Sequence, residues 1–151
     1  MRLLISVSVA GLLALGVLTA CNSTDKTVRS AGPVSAPSTA PVPADGARRI
    51  TIKELTDLLA KDEAVVIDVR NEASYGVGHI KGAKLIPLNE VVDRMDQLPR
   101  NKLIVTYCSC AAEHTAAIAV NNLKAKGMEN AAALIGGFPA WQSAGLPVAT
   151  N

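Results

Sequence analysis

The stretch IVTYCSCAAEHTAAIAV, residues 104–120, sets a thiol between two kinds of pattern. Ile104 to Tyr107 is a short apolar run suited to a buried strand, and from Thr115 the alanine-rich spacing turns helical. Cys108 stands at the junction, and Cys110 follows two places later. A thiol reacts as its thiolate, and the free amides and dipole of a helix N-terminus favour negative charge. A loop from Cys108 through Ser109, Cys110, Ala111, Ala112, Glu113 and His114, wrapping into a helix at Thr115, would aim several N–H groups at one point. That makes an anion cradle, and its small residues suit a tight wrap.

Outward from this stretch, residues 48–151 read as one folded domain. Arg48–Ile52 is expected as a short strand, and Thr51 with Glu54 three places on forms a capping box. Ile52, Leu55, Leu58 and Leu59 then repeat at helical spacing. The runs 64–69, 83–88, 102–107 and 131–135 are expected as buried strands. Residues 88–98 read as a short amphipathic helix stopped by Pro99. Residues 115–126 form a helix with Ala116, Ile118, Ala119, Val120 and Leu123 inward, closed by Gly127. GGFPAWQSAG, 136–145, gives a glycine turn and a last short helix. Alternating strands and helices predict an α/β fold, a parallel sheet of about five strands with helices on both faces. In such sheets ligands bind beyond the carboxyl ends of the strands, where Cys108 would lie.

Three segments resemble the rhodanese family. Asp68-Val69-Arg70, Gly78-His79-Ile80 and Gly82-Ala83 are similar to its first signature. Tyr107-Cys108 with the following loop and helix resembles its catalytic segment, and Gly136-Gly137, Trp141, Gly145 and Pro147 resemble its closing one. The resemblance implies a doubly wound parallel sheet and a sulfurtransferase in which Cys108 carries sulfane sulfur as a persulfide. It also implies that Asp68 and Arg70 support the loop rather than perform chemistry. A small sulfane-sulfur donor and a thiol acceptor are the implied partners.

The loop departs from the family pattern. Common sulfurtransferases close a six-residue loop with a basic residue; here the loop reads as seven residues, ending at His114. Seven resembles the phosphatase branch, but that branch closes with Arg. Imidazole is a poorer oxyanion clamp than a guanidinium fork, and Glu113 would repel a dianion. Phosphatase activity therefore ranks last, and thiosulfate activity is expected to be weak. Cys110 either lines the loop or resolves an oxidised or persulfidated Cys108. His114 either tunes Cys108 or is an exposed helix-start residue. Two alternatives to the enzyme stand: a non-catalytic binding module with an envelope protein partner, and a thiol-redox protein using Cys108 and Cys110. Two histidines and a C-x-C fall short of a zinc site, so no metal or cofactor is expected.

Residues 1–20 have a positive start, an apolar middle and small residues before Cys21, the layout of an export signal. Leu18-Thr19-Ala20-Cys21 resembles the bacterial lipobox, which implies lipidation of Cys21 and a membrane anchor. The protein is then expected on the periplasmic or cell-surface side; Asn22 favours the outer membrane where the cell has one. After Cys21, residues 22–47 are rich in Ser, Ala, Pro and Thr and form a linker that spans about 25–30 Å or more. A net charge of +2 and four aromatic residues leave no basic field and no stacking platform for nucleic acid.

Overall fold

The protein is described from a computed structural model, and the residues described are 44–151. The expected signal, Cys21 and the linker as far as residue 43 lie outside the described residues. Strand β1 (Arg49–Ile50) leads directly into helix α1 (Ile52–Ala60). Thr51 caps that helix as its sequence predicts: its hydroxyl accepts the Glu54 N–H at 3.2 Å, and the Glu54 carboxylate accepts the Thr51 N–H at 2.7 Å. Strand β2 (Ala64–Asp68) follows, then α2 (Glu72–Val77), capped by the Asn71 side chain. Next come β3 (His79–Ile80), β4 (Lys84–Leu85), β5 (Leu103–Tyr107), α3 (His114–Ala125), β6 (Ala131–Leu134), α4 (Gly137–Ser143) and β7 (Val148–Ala149).

Five strands form one parallel sheet in the order β1-β6-β5-β2-β4. The two central strands leave in opposite directions: β2 crosses toward β4 and β5 crosses toward β6. Their carboxyl ends therefore flank a topological switch point, where doubly wound sheets open a crevice. Both faces of the sheet are covered. Ile67, Ile104 and Ala133 pack under α3 with Val120 and Leu123, and Val66, Val105 and Leu134 pack on the other face with Leu55, Phe138 and Trp141. Among the described residues no helix is long and apolar enough to cross a membrane.

Some expectations fail locally. Residues 88–98 do not form a helix but two 3-10 turns, Leu88–Glu90 and Met95–Gln97. Neither has a side-chain cap, and adjacent Val91 and Val92 disfavour a helix that Pro99 must stop within three turns. Apolar spacing of three and four residues is met by the turns instead, which bury Val91 and Leu98. The run 83–88 gives a two-residue edge strand, exposed at Lys84, rather than a buried one. Ile118 is 48% exposed, and Ala117 is buried in its place. At about 100° per residue, position 118 lies opposite the buried face of α3.

Candidate active site

The carboxyl end of β5 places Cys108 at the foot of the loop, buried at 3% exposure. Helix α3 takes His114 as its first residue, so the loop closes at Glu113, one position earlier than the spacing predicts. His114 is exposed in the first turn, as are Ala111 and Ala112 at the loop tip.

Glu113 adopts a left-handed conformation (φ 50°), which costs a non-glycine residue roughly 1–2 kcal/mol. Its carboxylate supplies the compensation. One oxygen accepts the Gly136 N–H at 2.5 Å, and the other takes Arg49 Nε at 3.4 Å. At 5% exposure Glu113 is turned away from the loop mouth and paired, so the expected repulsion of anionic donors is corrected. Arg49 is in turn gripped by Asp45 at 2.6 and 2.9 Å. The Arg49 guanidinium and then the Ala47 N–H hold the Asp45 carboxyl far below the usual carboxylate range.

The closing glycine pair has a steric reason. Phe138 N–H donates to the Cys108 carbonyl at 2.9 Å, which draws the α4 start against the loop. A Cβ on Gly137 would stand 2.3 Å from that carbonyl oxygen, and its φ of +54° is also a glycine conformation.

On the opposite flank, Asp68 is fully buried at the end of β2. Its Oδ1 accepts the Arg70 N–H and Nε at 2.9 Å each, and its Oδ2 accepts Arg70 Nη2 at 2.6 Å and the Tyr107 hydroxyl at 2.5 Å. Burial, and then this bond to Asp68, pushes the Tyr107 phenol far above its ordinary range, so it stays a donor. Arg70 also donates to the Gly78 carbonyl at 2.7 Å and to Ser109 Oγ at 3.2 Å, and stacks 4.6 Å over the Phe138 ring. The Asp68-x-Arg70 segment thus holds the loop through Ser109. His79 is a satisfied structural residue: it hydrogen-bonds the Tyr75 carbonyl at 2.9 Å and stacks on the Tyr75 ring. Trp141 is buried with its Nε1 donating to the Pro147 carbonyl at 3.0 Å.

The two thiols divide the cradle in a way the sequence does not predict. Cys108 Sγ donates to the Cys110 carbonyl at 3.8 Å. Burial, followed by the Cys110 thiol, pushes the Cys108 thiol up, against the backbone amides of Cys110 and Ala116. Burial opposes ionisation of Cys110 as well. There it is outweighed by the Cys108 thiol, the Thr115 amide and hydroxyl and the His114 amide, which together bring Cys110 below the ordinary thiol range. Amides of the first turn of α3 thus act on both thiols, that of Ala116 on Cys108 and those of His114 and Thr115 on Cys110, and at Cys108 burial opposes them.

Beside the loop lies a cleft of about 700 Å³ that reaches Ser109 but stops short of Cys108. Val77, Phe138 and Val148 give it apolar walls, and Arg70 is the one charged side chain in its lining among the described residues. Val77 is 83% exposed at its rim. The Arg49–Glu113 clamp, the Tyr107 hydroxyl and the Phe138 wall escape sequence reading. Their partners are distant along the chain and no spacing marks them. The two consecutive glycines at 136–137 were the available signal for the close approach at Cys108.

Residues 51–144 match the rhodanese-like domain family, and the chain belongs to it. A sulfurtransferase of Allochromatium vinosum is 32% identical over 100 residues, covering 66% of this chain and 92% of that protein. The thiosulfate sulfurtransferase GlpE of Pseudoalteromonas translucida is 28% identical over 64% of this chain and 90% of its own length. The HTH-type transcriptional regulator Rv0324 of Mycobacterium tuberculosis is 38% identical over 99 residues, but this chain spans only 43% of it. Likewise the chain spans 54% of the Synechocystis protein slr1261, at 32% identity. A rhodanese-related protein of Thermoplasma volcanium has the same fold, with a TM-score of 0.61 at 27% identity over 69% of this chain and 99% of that one.

Proposed function

We propose that this chain is a sulfurtransferase that carries sulfane sulfur on Cys108 and passes it to a thiol or another nucleophile. The observation that carries this reading is the position of Cys108. It stands at the carboxyl end of β5, at the switch point, with its carbonyl fixed by Phe138 and the following residue on the cleft wall. Family membership and sulfurtransferase relatives matched over most of their own length support it. The Cys108 thiolate attacks the outer sulfur of the donor; the donor's sulfur–sulfur bond breaks, and a sulfite or sulfinate leaves with the bonding pair. The acceptor thiolate then attacks the outer sulfur of the persulfide and returns Cys108 as thiolate. Charge shared between the two neighbouring thiols gives Cys108 access to its ionised form.

The cleft supports a donor with an apolar body and a single negative charge. Its one guanidinium is largely spent on Asp68 and Gly78, which leaves little to neutralise a dianion such as thiosulfate. Release of benzenesulfinate from benzenethiosulfonate tests the reading. One equivalent is expected from the reduced chain and none from Cys108→Ser, with turnover on thiosulfate slower; a chain that releases none is not this enzyme. From residues 1–21 we further propose that the protein works outside the cytoplasm, on a lipid carried by Cys21. Labelled fatty acid incorporated by the wild type and not by Cys21→Ser is the expected outcome.

A further inference from the structure

Two thiols share one loop, and a carrier of persulfide needs only one. Cys108 Sγ donates to the carbonyl of Cys110, so the chain is curled rather than extended between them. Both side chains pack into the same buried cluster beneath α3. Residues two apart are separated by at most about 7 Å between Cα atoms, and a curled segment falls within the roughly 4.4–6.8 Å that a disulfide spans. The flanking Ser109 and Ala111 put no bulky side chain in the way of that closure. Both cysteines are free thiols in this structure.

We propose that Cys110 discharges the Cys108 persulfide within the chain, releasing hydrosulfide and leaving a Cys108–Cys110 disulfide. This rests on the persulfide reading above and adds a second activity to the same loop. The Cys110 thiolate attacks Sγ of Cys108, the inner sulfur of the persulfide, which already lies against the Cys110 backbone. The bond between inner and outer sulfur breaks, and the outer sulfur leaves with the electron pair and a proton taken from water, as hydrosulfide. The sulfane sulfur is reduced to sulfide while two cysteine thiolates are oxidised to one disulfide, so no outside oxidant is needed. A persulfide's outer sulfur leaves as a low-basicity anion, which favours this direction of exchange. The Thr115 amide and hydroxyl and the His114 amide surround Cys110 and favour its thiolate for the attack. A ring closed by residues two apart is strained and readily reduced, so an external dithiol resets the loop. With a thiol acceptor present, the enzyme transfers sulfur; without one, it empties itself after a single turnover.

The test uses the full chain in a Cys21→Ser background, which leaves Cys108 and Cys110 as its two cysteines. The reduced protein, freed of reductant under anaerobic conditions, is mixed with benzenethiosulfonate. Expected are one equivalent of benzenesulfinate, one equivalent of hydrosulfide trapped by monobromobimane, and a chain two hydrogens lighter with the bridge in the 108–110 peptide. In Cys110→Ser the hydrosulfide falls at least tenfold and the extra sulfur accumulates on the chain. A wild-type chain that releases benzenesulfinate, keeps the extra sulfur and yields no hydrosulfide overturns the discharge while persulfide loading stands. A chain that releases no benzenesulfinate overturns both. The wild-type result alone decides, whether or not the variant folds.

Discussion

The loop is held from two sides by a carboxylate–arginine pair, and the two pairs are built differently. On the β2 side, Asp68 and Arg70 are two residues apart, share four hydrogen bonds of 2.6–3.0 Å and exclude solvent from Asp68 completely. On the β6 side, Glu113 and Arg49 are far apart in the chain and meet through one contact of 3.4 Å, while Asp45 takes the better share of Arg49. The first pair is rigid and also anchors Tyr107; the second is a loose strap whose strength is shared with an exposed neighbour. Both rank high by burial, yet multiplicity of bonds decides which one the fold depends on.

The largest effect is expected from Asp68→Ala. It strands a buried guanidinium and leaves the Tyr107 hydroxyl without its acceptor, a loss of about 3–5 kcal/mol in denaturant unfolding. A loss under 1 kcal/mol would erase the contrast between the clamps. Gly137→Ala comes next, since a left-handed φ alone costs about 1–3 kcal/mol and the new methyl group collides with the Cys108 carbonyl. Here sulfinate release should fall further than stability does, because the displaced atom belongs to Cys108. Glu113→Gln should cost about 1 kcal/mol or less, because an amide oxygen can still accept the Gly136 N–H and only the long ion pair is lost. A cost equal to that of Asp68→Ala would show the strap to be a full clamp. Asp45→Ala, at an exposed carboxylate, should change the midpoint least.

A last measurement sharpens what the clamps hold. Alkylation by iodoacetamide, followed by peptide mapping across pH, reports each thiolate. Cys110, with its pKa lowered, should stay reactive as pH falls below the ordinary thiol value of about 8.5, losing reactivity only through its own lower pKa. Cys108, with its pKa raised, should react appreciably only above that value. The reverse order would return the amide cradle to Cys108.

Local signals account for what could be read in advance. Thr51 and Glu54 announce α1 because a capping box is complete within four residues, and 64–69, 102–107 and 131–135 announce central strands because burial on both faces demands unbroken apolar runs. Cys108 was singled out for the same reason, from its own strand-to-helix segment, whereas Asp68 and Arg70 were picked out by resemblance to the family's first signature. What stayed hidden depends on meetings across the fold. Arg49 gives no hint of Glu113, and two-residue strands such as His79–Ile80 are too short to show a period. The deeper burial of Cys108 relative to Cys110 was hidden too, because depth depends on how the loop packs against the rest of the fold.

The short ribbon of β3 and β7 has a consequence for how firmly the cleft is closed. Val148 and Thr150 form part of the cleft wall, and β7 reaches back to pair with His79 and Ile80. Only two residue pairs tie this ribbon together, whereas Cys108 hangs from the five-stranded parallel sheet. Fraying of β7 would therefore open the cleft while leaving the loop and its sheet in place.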